Sequence, residues 1–148
     1  TGRGPMESQI QDSVRKLGLE KNVRGVGFLD YPTLMHYYQA SNLFVMVSHN
    51  VEKSHDFEGF GIVYLEAAYW GVPSIAANIA GPTEVIENHQ SGLLIDPLNP
   101  GELTDAMRSL FTQPDRLQQM GLAARKRVLE KFTTKDLALN LEKVFFGE

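Results

Sequence analysis

The sequence predicts a single α/β domain built on an open parallel sheet flanked by helices. Three observations carry this. The runs Leu43 to Val47 (LFVMV) and Pro73 to Ala77 (PSIAA) are continuously apolar or small over strand length, the pattern of strands covered on both faces in a parallel sheet. Other segments place apolar residues at helical spacing, as Leu103, Ala106, Met107 and Leu110 do. Turns bearing glycine or proline separate the two kinds of segment, and strands alternating with helices imply a parallel sheet.

Taken in order, Gly2-Arg3-Gly4-Pro5 is a glycine turn with proline at a first helical position, and residues 6–16 carry a helical pattern closing at Gly18. This resembles a strand-to-helix turn without its strand, although an ordinary loop and cap accounts for it equally well. Residues 23–29 (VRGVGFL) alternate around two glycines and read as a short strand. Tyr31-Pro32 opens a helix to about Ala40, and the strand at 43–47 follows, ending at Ser48-His49-Asn50. After the polar stretch 51–55 comes Asp56-Phe57-Glu58-Gly59-Phe60-Gly61, then an almost wholly apolar helix from about Phe60 to Trp70. Pro73 to Ala77 gives the next strand, Ala80-Gly81-Pro82 turns into a short helix at 84–88, and Gly92 precedes the strand Leu93-Leu94-Ile95. Amphipathic helices are expected at about 101–111, 115–130 and 134–146, separated by Thr112-Gln113-Pro114 and Phe132-Thr133-Thr134.

Bulk properties narrow the function. The chain has 148 residues, 43% hydrophobic and 22% charged, enough apolar material for one core. A net charge of -4 with scattered Lys and Arg leaves no basic footprint, which argues against nucleic-acid binding. Zero cysteines exclude disulfides and thiolate metal sites and suit a reducing cytoplasm. No apolar run approaches a membrane span and no signal peptide is visible. The histidines His36, His49, His55 and His89 lack metal-ligand spacing. The chain opens at Thr1 inside what reads as a motif, so a piece of a longer protein is expected.

The sharpest chemical signal is Glu66. At 100° per residue it lies roughly 40° from Ile62, within an apolar helix expected to be buried. A buried ionised carboxylate costs several kcal/mol, on the order of its desolvation, unless donors surround it. A ligand's vicinal hydroxyls, such as a ribose diol, supply such donors, and so do groups of the core itself. The preceding Glu58-Gly59-Phe60-Gly61 stands where parallel sheets bind ligands, beyond a strand's carboxyl end and at a helix N-terminus that favours phosphate. Glu58 by itself is also an ordinary favourable charge at such a terminus. No nucleophile elbow or Walker sequence is present, and Glu58 with Glu66 suits binding better than proton transfer.

Several motifs together resemble one family. Gly2-x-Gly4-Pro5, Gly25-x-Gly27-Phe28, Glu58-Gly59-Phe60-Gly61 with seven residues between Glu58 and Glu66, Ala67, Gly71-Val72-Pro73, Gly81-x-x-Glu84 and Gly92-Leu93-Leu94 resemble the C-terminal half of retaining glycosyltransferases of family 4, in order and spacing. The resemblance implies a Rossmann-like C-terminal domain of the GT-B fold that binds a nucleotide-sugar donor. It implies Glu58 as the catalytic-site carboxylate at the donor sugar's hydroxyls, and Gly59, Phe60 and Gly61 amides on sugar and diphosphate. Ile62 and Val63 amides would face the phosphates, Glu66 would hold the ribose, and Gly27, Phe28 and Leu29 would meet the base through their backbone. No metal and no further cofactor are implied; the substrate would be a nucleotide diphosphate sugar, GDP-mannose or a UDP-hexose, with the form of the Asp56 to Ala67 motif closest to the GDP-mannose branch.

The chain departs from the family at Val47-Ser48, where Pro-Ser is usual, and at Ala80-Gly81, where two glycines are usual, neither a charged binding group. The larger difference is the absence of two strands, a helix and an Arg/Lys loop that neutralises the departing diphosphate. The resemblance therefore implies a domain lacking its first two strands, inactive alone, with the acceptor-binding N-terminal domain outside the chain. Association with another chain would cover the open strand edges. A cytoplasmic enzyme at the inner face of the membrane, held peripherally through the missing domain, fits the same resemblance. The alternative is a non-catalytic nucleotide-sugar-binding module or one subunit of a split glycosyltransferase.

Overall fold

The computed structural model describes residues 4–48 and 61–133, and among these the chain divides between Tyr37 and Tyr38 into two compact units. In the first, α1 (Glu7–Lys16) is amphipathic and buries none of its residues. It ends as its glycine predicts: Gly18 takes φ +65°, and the amides of Gly18 and Leu19 donate to the Arg15 and Val14 carbonyls at 3.1 and 3.0 Å. Residues 23–29 correct the expected strand. They form no regular element, because a strand exists only with a hydrogen-bonded neighbour and no ladder joins them to another described segment.

Helix α2 (Tyr31–Ala40) is started by Asp30, whose Oδ1 accepts the Thr33 amide at 3.0 Å while its carbonyl accepts the Leu34 amide at 2.9 Å. Hydrogen bonds from the Thr33 side chain and amide hold the Asp30 carboxyl below the usual aspartate value of 3.8. The folded carboxyl therefore takes up its proton at lower pH than the unfolded one, so its stabilisation is complete above 3.8 and is lost as pH falls through the depressed value. Urea denaturation of Asp30→Ala is expected to show reduced stability at neutral pH and a shrinking difference from the parent well below pH 3.8. A difference independent of pH would rule out the charged cap.

The second unit is organised on three parallel strands, β1 (Phe44–Met46), β2 (Ser74–Ala77) and β3 (Gly92–Ile95), in the order β1-β2-β3. Phe44 is level with Ser74, and Ser74 with Gly92. Strand β2 is buried along its whole length, as a central strand should be. Strand β1 does not match the expected two-sided burial: it is an edge of the described sheet, and Val45 remains 38% exposed.

Alternation along the strands divides the core into two layers. Ile75, Leu93 and Ile95 face Ala106 and Leu110 of α5 (Pro100–Phe111) and Met120 of α6 (Pro114–Lys131). On the other face Ala76 and Leu94 pack with Phe44, Met46 and Tyr64, the last on α3 (Ile62–Tyr69), and with Val85 of α4 (Pro82–Val85). Helix α6 reaches both layers, since Met120 joins the first while Ala124 and Val128 pack on Ala68 of α3. The helix expected at 134–146 lies outside the described residues.

Helix α4 corrects the expected helix at 84–88, starting earlier and ending sooner. Pro82 pre-sets a helical φ at the first position, and Ile86 turns extended at φ -98°, ψ 122° to reach the core. Arg127 of α6 takes the place of continued helix by donating Nε to the Val85 carbonyl at 2.8 Å and Nη2 to the Glu84 carbonyl at 3.0 Å. Its Nη1 also pairs with Glu87 at 3.3 Å, so three donors pin this turn to α6.

Candidate functional site

The parallel register puts the ends of β1 and β2 together, Met46 level with Ala76, and both following helices start from that end. Helix α3 begins at Ile62 rather than near Phe60, because Gly61 adopts φ 76°, ψ 55°, outside right-handed helical space. Glycine is required there twice over: any Cβ would also lie 2.5 Å from Cδ2 of the Tyr64 ring. That ring is completely buried, stands edge-on to Phe44 with centroids 5.7 Å apart, and donates its hydroxyl to the Met46 carbonyl at 2.8 Å. Tyr64 thus anchors the first turn of α3 on the carboxyl end of β1. The amides of Ile62 and Val63, in that first turn, have no intrahelical acceptor.

The expected all-round burial of this helix is corrected. Tyr64, Ala67 and Ala68 form its buried face, whereas Ile62 is 67% and Tyr69 46% exposed. On a helical wheel Glu66 lies on the flank nearer Ile62, roughly 150° from the centre of the buried face. Glu66 is accordingly half-buried, not enclosed. Its Oε2 accepts the hydroxyl of Tyr38 at 3.2 Å, and Tyr38 is only 6% exposed. Tyr38 comes from α2, packs tilted against Phe44 with centroids 5.8 Å apart, and so joins an aromatic row running Tyr38, Phe44, Tyr64 across β1 to α3.

Of the residues singled out from the sequence, Gly61, Ile62, Val63 and Glu66 are brought onto the amino-terminal turns of α3, with the carboxylate one turn along from the first-turn amides. Glu58, Gly59 and Phe60, with His49 and His55, lie outside the described residues. Gly27, Phe28 and Leu29 belong to the first unit, Gly27 at φ 63° and Phe28 78% exposed. A cavity of about 680 Å³ in that unit, between α1 and residues 23–27, holds none of the proposed phosphate or ribose residues. His36 and His89 are exposed. Sequence reasoning did not find Tyr38, 28 positions from Glu66, because nothing local in YPTLMHYYQA marks which tyrosine turns toward α3.

A family profile described as "Glycosyl transferases group 1" matches residues 1–127. The chain belongs to the group 1 glycosyltransferases. It is 29% identical to a GDP-mannose-dependent alpha-(1-6)-phosphatidylinositol monomannoside mannosyltransferase of Mycobacterium tuberculosis, over 99% of this chain and 38% of that protein. It is 31% identical to a glycogen synthase of the same organism, over 99% of this chain and 34% of that protein. Among solved structures, sucrose-phosphate synthase from Thermosynechococcus elongatus superposes with a TM-score of 0.78 at 27% identity, covering 99% of this chain and 36% of that one. Anabaena Alr3699/HepE, solved in complex with UDP, superposes with a TM-score of 0.79 at 23% identity, covering 95% and 36%. The chain therefore has the GT-B type of fold found in these glycosyltransferases, and spans about a third of the length of the relatives it matches. Among the described residues no helix is long and apolar enough to cross a membrane.

Proposed function

We propose that this chain is the donor-binding part of a retaining glycosyltransferase, which moves a hexose from a nucleotide diphosphate sugar to a sugar or lipid acceptor. The observation that carries the reading is the start of α3: the first-turn amides of Ile62 and Val63, which have no acceptor within the helix, with the half-buried carboxylate of Glu66 one turn away. One turn advances the helix by about 5–6 Å, comparable with the reach from a ribose diol to the phosphates of a nucleoside diphosphate. A carboxylate has acceptor sites for two hydroxyls, and the helix terminus favours the phosphates.

In this reading Glu66 holds the ribose, the Gly61, Ile62 and Val63 backbone faces the diphosphate, and Glu58 with Gly59 and Phe60 meets the donor sugar. Charge building up on the departing diphosphate would be met by helix amides already pointing at it. Cations from the remainder of the protein would complete that stabilisation, and no bound metal is needed. The mannosyltransferase relative named for GDP-mannose supports a guanosine donor. The neighbour solved in complex with UDP supports a uridine donor as well.

Titration calorimetry of GDP and UDP against the intact protein and its Glu66→Ala variant tests the assignment. Losing one or two hydrogen bonds to a charged group should weaken the better-binding nucleotide by roughly tenfold to several hundredfold. Unchanged affinity for both would refute the ribose role.

A further inference from the structure

Resting on this donor-site reading, we propose that Tyr38 is a positioning residue for Glu66, setting the carboxylate for a ribose diol before any nucleotide arrives. A glutamate on a helix flank has three side-chain torsions, and fixing them on binding costs affinity. Here the cost is met in advance. The Tyr38 hydroxyl donates to Glu66 Oε2 at 3.2 Å, and among the described residues no other group hydrogen-bonds this carboxylate.

The tyrosine is itself held. Its ring is nearly fully buried and packs at 5.8 Å on Phe44, whose ring meets Tyr64, the side chain that anchors the start of α3. The same aromatic row therefore supports both parts of the proposed site: the Gly61 turn at one end and the Glu66 carboxylate at the other. Tyr38 donates to Oε2 and leaves Oε1 with all its acceptor capacity, so the carboxylate is fixed without being used up. Nothing in this arrangement requires Tyr38 to touch the nucleotide.

The test compares GDP and UDP with their 2′,3′-dideoxy counterparts on the intact protein, Tyr38→Phe, Glu66→Ala and the double variant. Tyr38→Phe keeps the ring and its packing on Phe44 and removes only the donor. It should weaken the ribonucleotides by about three- to tenfold, the scale of one hydrogen bond, and leave the dideoxynucleotides unchanged. In the Glu66→Ala background the same substitution should then have no further effect. Equal loss for ribo- and dideoxynucleotides would mean a merely structural role and overturn the inference. So would an unaffected Tyr38→Phe when Glu66→Ala discriminates between the two ligand series, an outcome that leaves the donor-site reading intact. Failure of Glu66→Ala to discriminate would overturn both.

Discussion

Tyr64→Ala should cost about 3–5 kcal/mol of folding stability and abolish measurable nucleotide binding, whereas Tyr64→Phe should cost only about 1 kcal/mol and bind almost normally. The difference follows from the two jobs of this side chain. Its ring is wholly buried between Gly61 and Phe44, so truncation removes a large apolar group and leaves a void that packed neighbours fill only in part. Its hydroxyl contributes the hydrogen bond to the Met46 carbonyl at 2.8 Å. The ring also lies against Gly61, at the turn that sets the direction of the first helical amides. Urea denaturation alongside calorimetry with GDP and UDP separates the two effects. A Tyr64→Ala variant that still bound with parent affinity would show that the α3 amino terminus is not part of the site.

Gly121→Ala should destabilise by about 1–2 kcal/mol, reversing the usual rule for a helix interior. Replacing a mid-helix glycine with alanine ordinarily gains roughly 0.5–1 kcal/mol of backbone entropy. At this position a Cβ would overlap the Gly71 carbonyl oxygen and stand 3.2 Å from its carbon and 3.3 Å from Pro73 Cδ. A backbone carbonyl and a proline ring cannot swing aside, so α6 must move away from the turn joining α3 to β2. Overpacking of this kind costs about 1–3 kcal/mol and occasionally more, which outweighs the entropic gain. Gly71→Ala supplies the contrast. Its Cβ would have only the Gly121 oxygen nearby, at 3.9 Å, but its φ of 75° would strain any other residue by roughly 1–2 kcal/mol. Equal stability of Gly121→Ala and the parent in denaturant would refute the close approach of α6.

Much of the fold was legible because local physics and tertiary packing agree. The run at 73–77 is buried on both sides and became the central strand, and Gly18 ends α1 in the left-handed conformation that only glycine adopts cheaply. Where the reading missed, a neighbour decided the outcome. Residues 23–29 have strand-like alternation but no pairing partner among the described residues, and alternation alone forms no ladder. Val45 sits in an apolar run yet is partly exposed, because exposure depends on where in the sheet the strand lies. The short helix moved to Pro82–Val85 because Arg127, more than forty positions away, takes its last carbonyls.

The candidate site divides the same way. By itself the sequence determined the alternation of strands and helices, a glycine-bearing turn ahead of α3, and the presence of one carboxylate within that helix. These follow from backbone sterics and helical periodicity, which act over a few residues. Only the tertiary structure decided that Glu66 stands on a partly open flank rather than in the core, and that Tyr38 holds it. Both depend on how the core packs Tyr38, 28 positions away in the chain, against Phe44 and at what rotation α3 lies, which no local pattern encodes.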